Sequence, residues 1–206
     1  MEEPSSYHLG AAWSESQKRF GGDFNHELPW TDDYAEQVFN GEIKQVRNFY
    51  QLAVLKGSLD APEAVAVFQE QGRFVKVDFL DTAFRPELSY RFMTFGTAHD
   101  PEWDPSHGGQ RPEHLFCQVV DSIGYVEGQE NASRAAKSFF LQRYFSLRGM
   151  TRYKDKLVGS SLPSRFDWHV DPEVDVSGDG FWEPVATFGD WDRWFVRDRP
   201  GVKLFD

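Results

Sequence analysis

AVAVFQEQGRFVKVDFL, residues 64–80, carries valine and phenylalanine at alternating positions on both sides of Gln71-Gly72. A period of two with a glycine at its centre predicts a β-hairpin, because successive side chains of a strand point to opposite faces and glycine tolerates the turn. A helix from Pro62 to Gln71 is the competing reading. The two readings lead to different folds, since a hairpin here needs neighbouring strands to bury its apolar side chains.

Those neighbours are present. LSYRFMTFGT, residues 88–97, and HLFCQVVDSIGYV, residues 114–126, read as further strands, the second interrupted near Asp121 or Gly124. Between them AHDPEWDPSHGGQRPE, residues 98–113, is too rich in proline and glycine for a regular element and predicts a long loop. Thr31 is placed to cap a short helix running to Phe39, with Asp32 and Asp33 favourable at its positive end. Residues 42–56 place Ile43, Val46, Phe49, Tyr50, Ala53 and Val54 at spacings of three and four, the signature of an amphipathic helix ended by Gly57. Residues 131–148 predict a second one, with Ala132, Ala135, Ala136, Phe139, Phe140 and Leu147 on its apolar face and Arg143 among them. The tail reads as one or two strands, an acidic turn and a short last helix capped by Thr187. The expected fold is therefore α+β: one domain over residues 1–206, a largely antiparallel sheet packed against two amphipathic helices and a short C-terminal helix. Residues 1–30 form an irregular lead-in with a short strand near Tyr7 to Trp13.

Composition narrows the class. The 206-residue chain is 40% hydrophobic and 16% aromatic, which suits a packed globule and not a disordered segment. Cys117 is its one cysteine, so no intramolecular disulfide forms and paired-cysteine zinc spacings are ruled out. With no basic-then-apolar leader and no run of about 18 apolar residues, the expected setting is cytoplasmic, without membrane contact. The net charge is -11. Residues 131–165 oppose that trend: Arg134, Lys137, Arg143, Arg148, Arg152, Lys154, Lys156 and Arg165 stand against Asp155 alone. The remainder is thus more acidic than the total suggests. It should repel nucleic acid and attract basic protein partners.

Several short patterns bear on chemistry. Gly22-Asp23-Phe24-Asn25 resembles a run found in metal-dependent endonuclease, exonuclease and phosphatase domains, but the partners such a site needs are missing, including any Asp-His dipeptide. His169 and Asp171 form half of a two-histidine, one-carboxylate iron motif, and no histidine follows them. His99, His107 and His114 crowd the loop and its end. With His169 and Asp171 they define the alternative function, an enzyme with a pocket lined by that loop and His169, with or without a metal. Cys117 with His169 and Asp171 or Asp167 would suit a thiol mechanism, although a cysteine between Phe116 and Val119 reads as a small buried hydrophobe. Asp175, Ser177, Asp179 and Glu183 match part of a calcium loop, but its twelfth position is Ala186, so an acidic turn is expected instead. No cofactor is expected.

The leading expectation is a non-enzymatic binding or regulatory protein, inhibitor-like or immunity-like, that engages a basic protein through an acidic, tryptophan-bearing surface. The residues expected to contact the partner are Asp179, Trp182, Glu183, Asp190, Trp191 and Asp192, with Trp103 and Trp194 in similar acidic context. Arg143, placed on an apolar helix face, should be either a structural anchor paired with a carboxylate or a ligand for an anion.

Overall fold

The structure is a computed structural model. It describes residues 7–14, 19–21, 29–43, 51–69, 71–94, 114–127, 137–145, 151–157, 167–171, 176 and 178–202. For residues 12–14, 19–21, 137–138, 151–157, 167–171 and 179 it describes the backbone alone. The chain forms two compact units, unit 1 from residues 1–86 and 186–197, and unit 2 from residues 87–185 and 198–206.

Unit 1 contains β1 (Tyr7–Gly10), β2 (Ala12–Ser14), β3 (Arg19–Gly21), α1 (Asp32–Phe39), β4 (Gln51–Gly57), β5 (Pro62–Gln69) and β6 (Phe74–Leu80). β1, β4, β5 and β6 lie in that order in one antiparallel ladder, while β2 pairs with β3. The hairpin reading of residues 64–80 holds, and the helix over residues 62–71 does not form. Gln71 and Gly72 both take positive φ, 58° and 77°, which reverses the chain between β5 and β6. A side chain at Gly72 would also put its Cβ 2.7 Å from the carbonyl oxygen of Ala186.

The one α-helix among the described residues is α1, where Thr31 Oγ1 accepts from the Tyr34 amide and Asp32 and Asp33 occupy the first turn. It buries Ala35, Val38 and Phe39. The Phe39 ring meets those of Phe68 on β5, Phe188 and Trp191, and Trp194 closes the cluster edge-on to Phe68. These rings cover one face of the unit 1 ladder.

The helix expected over residues 42–56 is a misreading. Residues 51–57 are β4, and residues 44–50 lie outside the described set. Leu52, Ala53, Val54 and Leu55 are all buried, so both faces of the strand are covered. A strand buried on both faces has no alternation, and its continuous apolar run also satisfies a three-and-four spacing.

Unit 2 is a second antiparallel ladder, in the order β7 (Pro86–Met93, in this unit from Glu87 on), β8 (His114–Tyr125), β9 (Lys137–Phe145), β10 (Thr151–Leu157) and β11 (Asp167–Asp171). A short β12 (Trp182–Pro184) pairs with the first residues of β8. β8 runs through Asp121 without interruption; its register against β9 shifts between Gly124 and Tyr125. The second expected helix, residues 131–148, is also a strand where it is described, since residues 137–145 are β9. There Gln142 is buried while Phe139 is 36% exposed, which inverts the apolar-inside rule on which the helical reading rested. The expected C-terminal helix is replaced by a 3-10 turn, Asp192–Phe195, preceded by Gly189 at φ 89°. The α+β expectation is thus corrected to a mainly antiparallel β protein with one eight-residue α-helix among the described residues.

Candidate functional site

The tryptophans expected to form a contact surface are interior. Trp191 is 6% exposed, tilted against Phe68 at 5.1 Å and edge-on to Phe188 at 5.1 Å. Trp194 is fully buried. Trp182 on β12 sits 4.9 Å from the ring of Phe116, its register partner on β8, and its indole N–H donates to the Val176 carbonyl at 2.8 Å. An acidic neighbour in sequence says little about exposure, because in irregular segments adjacent side chains can point to core and solvent in turn. Trp103 lies outside the described residues.

The acidic candidates have internal partners of differing strength. Asp192 is exposed and accepts from the Tyr7 hydroxyl on β1. Asp190 pairs with Arg193 at 2.8 Å on the surface. Glu183 receives the guanidinium of Arg199, which is 5% exposed and lies 4.5 Å from the Phe92 ring centroid and 5.6 Å from that of Tyr90. Glu183 is therefore part of a structural ion pair. That use of its carboxylate also removes a ligand from the calcium pattern. Gly180 of the same loop is pressed so closely on Pro200 that a Cβ would fall 1.7 Å from its carbonyl oxygen. Asp175 and Ser177 lie outside the described residues, and of Asp179 only the backbone is described, in the 3-10 turn Asp179–Phe181.

The histidines of the alternative reading are not brought together where they are described. His114 opens β8, while His169 lies mid-way along β11, three strands across and in line with Tyr153, Arg143 and Val120, so the two histidines are also offset by six residues along the strands. Asp171 ends β11, while His99 and His107 lie outside the described residues. Among the described residues no group of three or more histidine, cysteine or carboxylate side chains is arranged to hold a metal. Cys117 is fully buried. Burial pushes its thiol up to about 12, with Arg199 opposing and Glu183 reinforcing the shift, so the thiolate a nucleophile needs does not form at neutral pH.

Arg143 lies half-buried on β9, opposite Val120 on β8 and Tyr153 on β10. The charge network that sequence reasoning missed is in the adjacent cross-strand rows. Arg91 on β7 donates to Asp121 Oδ2 at 2.6 Å, and Gln142 on β9 donates to Asp121 Oδ1 at 2.6 Å. The Tyr144 hydroxyl completes the chain by donating to Gln142 Oε1. Burial, then the charge of Asp121, pushes the Tyr144 phenol above its ordinary value, while Arg91 pulls the other way. Tyr144 therefore stays a donor. The sequence held a signal for this network, a lone arginine in one predicted strand and a lone aspartate in the next.

Together these features define a mainly β protein in which the buried charges Asp78, Asp121 and Arg199 are each held in an ion pair. No protein-family model, curated protein or solved structure matches the chain. No helix among the described residues is long and apolar enough to cross a membrane.

Proposed function

We propose that this chain is a binding protein that engages a basic protein partner through the acidic exterior of unit 1, in the reducing setting of the cytoplasm. One observation carries the reading. The exposed charged side chains described in unit 1 are Asp32, Asp33, Glu36, Glu42, Asp60, Glu63 and Asp192 against Arg73 and Arg197. Packing of Phe39 on Trp191 draws the segment carrying Asp190 and Asp192 up to the end of α1, so acids about 150 residues apart in sequence are carried by one unit. With Trp182 and Trp191 committed to the interior, recognition falls to charge rather than to aromatic anchors. Association should then be fast and strongly salt-dependent.

The test compares two variants of equal net charge. Asp33→Lys/Glu36→Lys alters α1, and Glu127→Lys/Asp198→Lys alters exposed acids of unit 2. Binding to a folded basic protein of pI above about 9 should weaken about tenfold or more in the first and change little in the second, read by surface plasmon resonance at low salt. Equal weakening in both would mean that only net charge is being sensed, and would end the assignment to unit 1.

A further inference from the structure

Unit 1 also holds a cavity of about 460 Å³ where the end of β4, the start of β5, the end of β6 and the segment after the last 3-10 turn converge. We infer that it is a binding site for a small amphipathic carboxylate, an aryl or short acyl acid. Its apolar lining comes from Phe79, Leu80, Phe84 and Phe195. Its cations are Lys56 and Arg197, each placed over a lining ring: Lys56 Nζ lies 6.0 Å from the Phe195 centroid and the Arg197 guanidinium 5.8 Å from that of Phe79.

Three further features fit such a ligand. First, the volume falls within the usual range of small-molecule sites and suits a body of roughly ten to twenty non-hydrogen atoms. Second, the wall is held in a set shape. Asp81 Oδ1 accepts from the amides of Ala83 and Arg85 at 2.9 Å each, and its Oδ2 takes the Arg85 side chain at 2.8 and 2.7 Å. That clamp holds Phe84 at φ 62°, a conformation bulky residues rarely adopt, and packs it against the buried cluster of Ala53, Leu55, Val65 and Leu80. Third, Lys56 stands where the β4–β5 register breaks, before Gly57 at φ 97°, a bulge of the kind that re-aims a side chain.

The charge balance selects an anion. Two acids line the cavity, Glu63 and Asp81. Both oxygens of Asp81 are already committed to Arg85 and the turn amides, so the remaining charged lining is exposed Glu63 with Lys56 and Arg197. A cationic ligand would have to displace Lys56 or Arg197 from the ring faces that would otherwise attract it. A carboxylate between the two cations, with its hydrocarbon body on Phe79 and Phe195, meets each lining group with its complement.

1-Naphthoate is a suitable probe, with 1-naphthamide as its neutral isostere. Calorimetric titration of the full chain should show saturable one-to-one binding of naphthoate, about tenfold tighter than the amide. Lys56→Gln/Arg197→Gln changes two side chains that are not deeply buried and should abolish that preference while the thermal transition stays in place. Thr82→Trp, at the exposed rim, should block both compounds. No saturable binding, equal binding of acid and amide, or a preference that survives the double variant would each overturn the assignment.

Discussion

The two units cover a ladder face with different materials. In unit 1 the cover is a set of aromatic rings, Phe39, Phe188, Trp191 and Trp194 gathered around Phe68, drawn from a helix and a segment more than 100 residues downstream. Unit 2 buries rings as well, Phe116 with Phe145, Phe181 and Trp182, but shares its interior with charge to a greater degree: Asp121 with Arg91 and Gln142, and Arg199 with Glu183 beside the rings of Tyr90 and Phe92. Ring burial is non-directional and scales with area, whereas a buried ion pair stabilises only if every partner is present. Unit 1 should therefore lose stability in proportion to the surface removed. Unit 2 should fail when a single partner is deleted.

The largest expected effect is on the aromatic side. Trp194→Ala removes a fully buried indole and should cost about 4 kcal/mol, read by urea denaturation. A loss under about 1 kcal/mol would show that the rings do not carry unit 1.

Asp121→Ala should cost about 3 kcal/mol, because Arg91 and Gln142 lose their shared acceptor. The sharper measurement is the pair Arg91→Met/Asp121→Leu, which removes both charges and should recover more than half of that loss. Cys117 supplies a local readout, since a fully buried thiol pushed up to about 12 reacts with a thiol reagent only when its surroundings open. If the double variant labels as fast as Asp121→Ala, charge pairing is not what distinguishes unit 2.

The smallest effect tests whether a partly exposed pair in unit 1 follows the same rule. Burial pushes the Asp81 carboxyl up, but the Arg85 side chain, the amides of Arg85 and Ala83 and the Arg85 charge outweigh it, and the net shift is below the ordinary 3.8. A depressed carboxyl pKa gives stability that is fully present above the unfolded value and is lost as pH falls through the folded one. Arg85→Met should therefore cost about 1 to 2 kcal/mol above about pH 5, and the gap to the parent should close below pH 3.8. A gap that stays constant down to pH 2.5 would mean the pair is energetically silent.

How much of this was legible in the sequence depends on which physical rule each segment obeys. The hairpin at residues 64–80 and the capped helix after Thr31 could be read because their signals are local: alternation around a glycine, and a side-chain oxygen facing orphan amides. β4 could not, since a strand covered on both faces loses its period. β9 misled for the opposite reason. It buries Gln142 as well as Phe145, and Gln142 is held inside by hydrogen bonds to Asp121 and Tyr144 that no single segment reveals. The rule applied to Arg143, that a buried guanidinium needs a carboxylate, describes Arg199 and Glu183 well. The cavity of unit 1 was invisible because Lys56, Phe79, Phe195 and Arg197 come from three separate stretches and match no motif.

The last strand of the unit 2 ladder, Asp167–Asp171, pairs with β10 along one side and has no further neighbour among the described residues. A strand so placed is a template for a second copy of itself. Antiparallel self-pairing centred on His169 would set Asp167 of each copy against Asp171 of the other, two like-charge contacts within a five-residue strand. Pro172 follows at once and withholds an amide from any extension. Asp171, read in sequence as half of a metal motif, and Asp167 would thus guard this edge against self-pairing. Their neutralisation should raise the tendency of the protein to form fibrils, read by thioflavin fluorescence.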